Sequence, residues 1–239
     1  MRRDQGLPSR YEKLIVRAFH YYLALLAGLT ACDSGLEIEP ASVQWMEWPA
    51  EVSVATPFTA RMLVPFPACH RSVFKPAVSE NQSAVTFAPY FLVEGGAPVC
   101  LPSPALDVAP VPFLALDTVI TAPGLAATAA RTFEIRATAF VATSTTNTNA
   151  VRTFGDVTVR LSNPDTSRRN AGGVATLSLD GGGCARLRPA GYLQPPQGYV
   201  LEDQADTTGL NYAFVRGYIH DATAPVCGQT RVFKLVSRN

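Results

Sequence analysis

After residue 32 the apolar residues of this sequence recur at every second position, and that period constrains the fold more than any other feature. Phe58, Ala60, Met62 and Val64 alternate with Thr59 and Arg61. Phe133, Ile135, Ala137 and Ala139 alternate with Thr132, Glu134, Arg136 and Thr138, and Val157, Val159 and Leu161 alternate with Thr158 and Arg160. Successive side chains of an extended strand point to opposite faces, so each run puts one face in a core and the other in water. Pro65, Pro67, Gly95-Gly96, Pro102, Pro104 and Pro123-Gly124 stand between the runs and leave no room for an amphipathic helix of useful length. The expected class is all-β. A composition of 47% hydrophobic and 16% charged residues is apolar enough for a core and too poor in charge for a disordered chain.

The N-terminus reads differently. Arg2, Arg3, Arg10, Lys13 and Arg17 precede an apolar run from Tyr21 to Leu29, which closes on Leu29-Thr30-Ala31-Cys32. This is the layout of a secretory signal with a cysteine at its cleavage point, and the run is shorter than the roughly 20 residues that cross a bilayer as a helix. The four closing residues resemble the lipobox of bacterial lipoproteins. That resemblance implies that residues 1–32 are a signal peptide with its lipobox cysteine, that Cys32 is acylated and becomes the first mature residue, and that its lipid holds the protein on a membrane of the cell envelope, facing the periplasm or the cell surface. Several acyl chains hold a membrane far better than the marginal grip of one. Asp4 and Glu12 interrupt the basic stretch, which is compatible with translation starting nearer Val16. Asp33 resembles an inner-membrane retention signal, but inner membrane, outer membrane and cell surface all stay open.

The chain carries 20 basic and 19 acidic residues; without the five basic and two acidic residues before Cys32, 15 and 17 remain, a net charge of −2. Nucleic acid is therefore not an expected partner. With Cys32 assigned to lipid, Cys69, Cys100, Cys184 and Cys227 form an even set that three pairings can satisfy. An exported protein meets an oxidising compartment, and zinc-type C-x-x-C spacing is missing. The expected bridges are Cys69–Cys100 and Cys184–Cys227, because each then lies within one of the two units described next.

Residues 36–161 carry the pattern Trp48-Pro49-Ala50-Glu51-Val52, Thr56-Pro57-Phe58-Thr59-Ala60-Arg61, Thr132-Phe133-Glu134-Ile135-Arg136-Ala137 and Phe154-Gly155-Asp156-Val157-Thr158-Val159. This resembles bacterial immunoglobulin-like domains and implies a β-sandwich in which these segments are the first two strands, a late central strand and the closing strand. Antibody-type domains pin their sheets with a cysteine pair around a core tryptophan. Cys69 and Cys100 instead follow strands in loop-like surroundings, so their bridge staples a peripheral excursion. Residues 162–170 are polar and without apolar period, and read as a linker.

In residues 171–239 strands are expected over 175–179, 184–187, 199–202, 213–220 and 231–236. The segments 198–203 and 214–219 resemble the central strands of OB-fold-like exported domains, which implies a small five-stranded barrel. OB folds bind extended polymers on an open face, although a fold alone does not settle a function.

Candidate chemistry is sparse. The mature chain has two histidines, His70 and His220, one per unit, so neither a histidine-rich metal centre nor a supported Ser-His-Asp triad is expected. No catalytic residue, metal or cofactor is assigned. Asp180-Gly181-Gly182-Gly183 lacks the lysine and Ser/Thr of a phosphate loop and reads as a turn. Glu202, Asp203, Asp206 and Thr207 offer oxygen ligands without EF-hand spacing and read as a solvated loop. Asn81-Gln82-Ser83 matches the N-glycosylation acceptor only formally in a bacterial lipoprotein. Of Trp45 and Trp48, one is expected in the core and the other over a sheet edge or at a contact. Tyr192, Tyr199, Tyr212 and Tyr218 form the candidate binding surface, able to stack on a sugar or peptide. The function expected is a non-enzymatic binding module whose partner is an unidentified envelope protein or glycan. The alternatives are an accessory subunit of an envelope assembly and, last, a hydrolase.

Overall fold

A computed structural model describes residues 36–65, 72–94, 115–142, 147–190, 198–205 and 210–238. The strands in chain order are β1 (Leu36–Pro40), β2 (Trp45–Pro49), β3 (Glu51–Ser53), β4 (Phe58–Pro65), β5 (Ser72–Lys75), β6 (Val78–Glu80), β7 (Ala84–Phe87) and β8 (Tyr90–Glu94). They continue with β9 (Ala115–Ala122), β10 (Arg131–Ala142), β11 (Asn147–Arg160), β12 (Arg169–Leu179), β13 (Ala185–Pro189), β14 (Tyr199–Leu201), β15 (Leu210–Val226) and β16 (Gln229–Arg238). No helix occurs among the described residues, so none there is long and apolar enough to cross a membrane. The protein is all-β, as its alternation requires.

The strands form three sheets, in the orders β1-β8-β5, β3-β11-β10-β7-β6 and β13-β14-β16-β15-β12-β2-β4-β9. The first half of the chain is a sandwich. Met46, Trp48, Phe58, Ala60 and Met62 of the largest sheet share one core with Val85, Phe87, Phe133, Ile135 and Val157 of the five-stranded sheet, and Phe91 and Val93 of β8 close it. Two pairings depart from the wholly antiparallel sheets of an immunoglobulin domain: β7 runs parallel to β10, and β3 parallel to β11.

The last five strands close on themselves. β12 pairs with β13, β13 with β14, β14 in parallel with β16, β16 with β15, and β15 again with β12. The result is a five-stranded barrel around Ala171, Ala175, Leu187, Leu201, Val215 and Phe233. β12 pairs with β15 along one edge as far as Leu177, with a register shift between Ala175 and Leu177, while its other edge pairs with β2 over 169–173 and with β13 over 175–179.

The same strand joins the barrel to the sandwich. Residues 169–173 of β12 pair antiparallel with β2, from Arg169 opposite Pro49 to Gly173 opposite Trp45. Arg169 and Asn170, expected in a linker, thus open a strand of a sheet that draws on both sides of the expected boundary. The remaining linker residues are mostly exposed but not loose. Glu51 accepts from the Asp165 amide at 2.9 Å and from Arg160, and Ala50 donates to the Arg168 carbonyl at 3.2 Å. The Arg160 guanidinium, then the Asp165 amide, hold the Glu51 carboxyl below its ordinary pKa. Protease should still reach the exposed stretch 161–168, but the nicked halves should co-elute on native size exclusion, because the β2–β12 ladder and its core survive the cut. Separation of the pieces without denaturant would show that the shared sheet does not hold them.

Candidate functional site

The candidate tyrosines do not converge on a common surface among the described residues. Tyr192 lies outside them, and Tyr212 falls in β15 at a position whose side chain is not described. Tyr199, on β14, is packed inward. Its ring stacks on Trp45 at 5.9 Å with 25° between planes and sits 5.9 Å from Phe233, while its hydroxyl donates to Glu47. Glu47 belongs to β2 and is 6% exposed, with Trp45 Nε1 donating to it at 3.3 Å and Arg61 4.0 Å away. A carboxylate in such a place needs donors to offset its lost hydration, and Tyr199 brings one from the barrel. Tyr199 is therefore part of the joint between barrel and sandwich.

Expected in a contact or at an edge, one of the two tryptophans also proves to be core: both are, each 1% exposed, on opposite faces of β2. Trp45 faces the barrel core and Trp48 the sandwich core. This is why the period fails in Trp45-Met46-Glu47-Trp48, where every residue is buried. The same reason buries Leu63 against the barrel beside inward-facing Met62 and Val64 on β4.

A second cluster closes the joint. The Asp156 carbonyl accepts from Trp48 Nε1 at 2.7 Å and from Asn170 Nδ2 at 2.8 Å, tying β2 and β12 to β11. The register of β10 on β11 slips between Ile135 and Arg136, leaving Phe154 as an extra residue. The bulge aims Phe154 at Phe214 of β15, edge-on at 5.1 Å.

Tyr218 lies on the outside of the barrel, with Arg168 3.7 Å over its ring and His220 at 5.3 Å. Beside it Glu202 meets Lys234 at 3.3 Å. Glu202 Oε1 is also 3.4 Å from His220 Nε2, a buried atom without an aligned hydrogen bond. The bond to Glu202 and its charge hold the Lys234 ammonium above its ordinary pKa. A depression of about 420 Å³ here is lined by Leu201, Glu202, Asp203, Lys234 and Leu235. Its carboxylates are occupied: Glu202 as above, and Asp203 by the Ala205 amide at 2.9 Å. Asp206 and Thr207 lie outside the described residues, and no group of three or more potential metal ligands occurs among those described.

Cys184 and Cys227 are joined in a disulfide with Cα atoms 6.1 Å apart, within the range a bridge requires. It ties the β12–β13 turn to the β15–β16 turn. The first of these is Asp180-Gly181-Gly182-Gly183, and Asp180 Oδ1 organises it by accepting from the Gly182 and Cys184 amides at 2.9 Å each. Hydrogen bonding from Arg186, then from the Cys184 amide, lowers the Asp180 pKa. Cys32, Cys69, Cys100 and His70 lie outside the described residues.

The joint around Glu47 had no signature in the sequence beyond an acidic residue between two tryptophans. Replacing Tyr199 with phenylalanine should cost about 1–3 kcal/mol in urea unfolding, since it strips a donor from a buried carboxylate. Unchanged stability would return Tyr199 to the list of ligand-contact candidates. No family model, characterised protein or solved structure matches this chain.

Proposed function

We propose that this chain is an exported lipoprotein, anchored through acyl chains on Cys32, whose β domains act in the cell envelope as a non-enzymatic binding or structural module. The observation that carries the reading is Leu29-Thr30-Ala31-Cys32 behind a basic stretch and an apolar run. The Cys184–Cys227 bridge supports it independently, since such bonds persist in oxidising compartments and not in a reducing cytosol. We read the sandwich as immunoglobulin-like and the barrel as OB-like, with its ring order and the parallel β14–β16 pairing in favour. The turns that the disulfide ties are those which, in OB folds, flank the polymer-binding face. A bridge there keeps the two turns at one separation, which suits a preformed contact surface.

The packing of Tyr199 and the covered Tyr218 ring favour contact with a protein partner over stacking on a sugar. Glu202, the carboxylate that faces His220, is spent on Lys234, which favours binding over catalysis. In the native host Cys32→Ala should move the protein from the membrane fraction to the soluble fraction, and mass spectrometry of the wild type should find acyl chains on Cys32. A full-length, unmodified N-terminus in the host sinks the proposal.

A further inference from the structure

In the sheet β1-β8-β5, β8 and Phe74 of β5 pack one face on the sandwich core, β1 is exposed along its length, and nothing in the described structure covers the other face. Phe91 and Val93 of β8 are buried on the inner face, with Phe74 5.5 Å from Phe91. On the outer face the register lines up Ile38, Leu92 and Val73 across all three strands. Ile38 is 70% exposed, Val73 57% and Leu36, next along β1, 41%. An alternating strand at a water-facing edge ordinarily turns polar side chains outward, and here the outward row is aliphatic. Tyr90, paired with both Pro40 and Lys75, ends the row on one side, and Glu94, paired with Leu36, stands at the other. An aliphatic row bordered at one end by tyrosine and lysine suits a surface lying at a membrane interface, with Glu94 and the exposed Glu37 and Glu39 of β1 left to the headgroup and water side.

The occupant follows from the distance to Cys32. Only four peptide steps separate Cys32 from Leu36, at most about 14 Å of extended chain. A face this close to an acylated cysteine lies within reach of the headgroup layer whatever path those residues take. We infer that the outer face of β1-β8-β5 rests on the membrane that holds the lipid of Cys32, with Ile38, Leu92 and Val73 dipping into the interface, so that the protein is held in one orientation. The inference depends on the lipoprotein reading. It goes beyond it by naming which face meets the bilayer, and so which faces of the barrel are presented to partners.

The test uses the full chain, purified from host membranes and reconstituted into phosphatidylethanolamine–phosphatidylglycerol vesicles with brominated acyl chains. Val73→Trp and Ile38→Trp probe the face, and Val119→Trp, 60% exposed on β9 of another sheet, is the reference. Wild-type emission is subtracted, since Trp45 and Trp48 are buried. The expected result is a blue shift and loss of most of the emission at 73 and 38, with 119 unquenched. Unquenched tryptophans at 73 and 38 in protein whose Cys32 is shown by mass spectrometry to be acylated overturn the inference and leave the anchor standing. Emission already blue-shifted in soluble Cys32→Ala protein also overturns it, in favour of a second copy if size exclusion gives a dimer and of another segment of the chain if it gives a monomer. An unacylated Cys32 removes the anchor and this inference together.

Discussion

Gly173→Ala should destabilise the protein by about 3 kcal/mol or more, enough to unfold much of a marginally stable population. Gly173 has φ +142°, in a region open almost only to glycine. A Cβ there would lie 2.1 Å from the Gln44 carbonyl oxygen and 2.7 Å from Trp45 Cα. Both are backbone atoms and cannot rotate away. Retreat of Gln44 would break the 2.7 Å bond from the Val174 amide and pull β2 off β12 at the point where the sandwich meets the barrel. Conformational strain of 1–3 kcal/mol and a comparable overpacking penalty add to about the stated loss. Gly181, with nothing within 4 Å of its Cβ position, supplies the control and should tolerate alanine. Urea midpoints at equal slope decide it: equal stabilities for the two variants would mean that the close approach of β2 to β12 is not part of the native joint.

Trp48→Ala should cost about 3–5 kcal/mol, the range for removing a large aromatic from a core. The ring is 1% exposed and lies so close over Gly155 that a Cβ there would sit 2.7 Å from it. Its loss also removes one of two donors from the Asp156 carbonyl, the other being Asn170 Nδ2. Because the donors share an acceptor, Trp48→Ala and Asn170→Ala should be non-additive in a double-mutant cycle. Strict additivity would mean that each side chain acts alone and that Asp156 is not a shared node. A loss under about 1 kcal/mol for Trp48→Ala would place the indole in a site that collapses freely, against the density of protein cores.

Much of the strand layout was legible in the sequence. The five segments expected after residue 171 correspond to β12 to β16, and the four segments quoted for the sandwich fall within or across β2 to β4, β10 and β11. Strand ends were less legible. β12 begins at Arg169 and not at Ala175, a start hidden from sequence reading because Arg169, Asn170, Gly172 and Gly173 carry no alternating apolar signal. They are in a strand because β2 and β15 flank them and supply hydrogen bonds on both edges. The candidate site was less legible still. A row of tyrosines reads the same whether the rings line a groove or fill a core, and only the position of Glu47 opposite Tyr199 distinguishes the two.

The sequence by itself determined the all-β class, the alternation that names the inward residues of most strands, and the short motif Leu29-Thr30-Ala31-Cys32 behind a basic stretch and an apolar run. These are properties of neighbours along the chain: a period of two and a short ordered motif hold wherever the segment is later placed. What pairs with what is not local. That β2 lies between β4 and β12, that both its faces are covered, and that one sheet runs from the barrel into the sandwich were decided only by tertiary structure. A strand buried on two sides loses its polar face and with it the signal that reports its surroundings. The joint that makes one body of two units was therefore hidden in Trp45-Met46-Glu47-Trp48, where burial on both faces had erased the period.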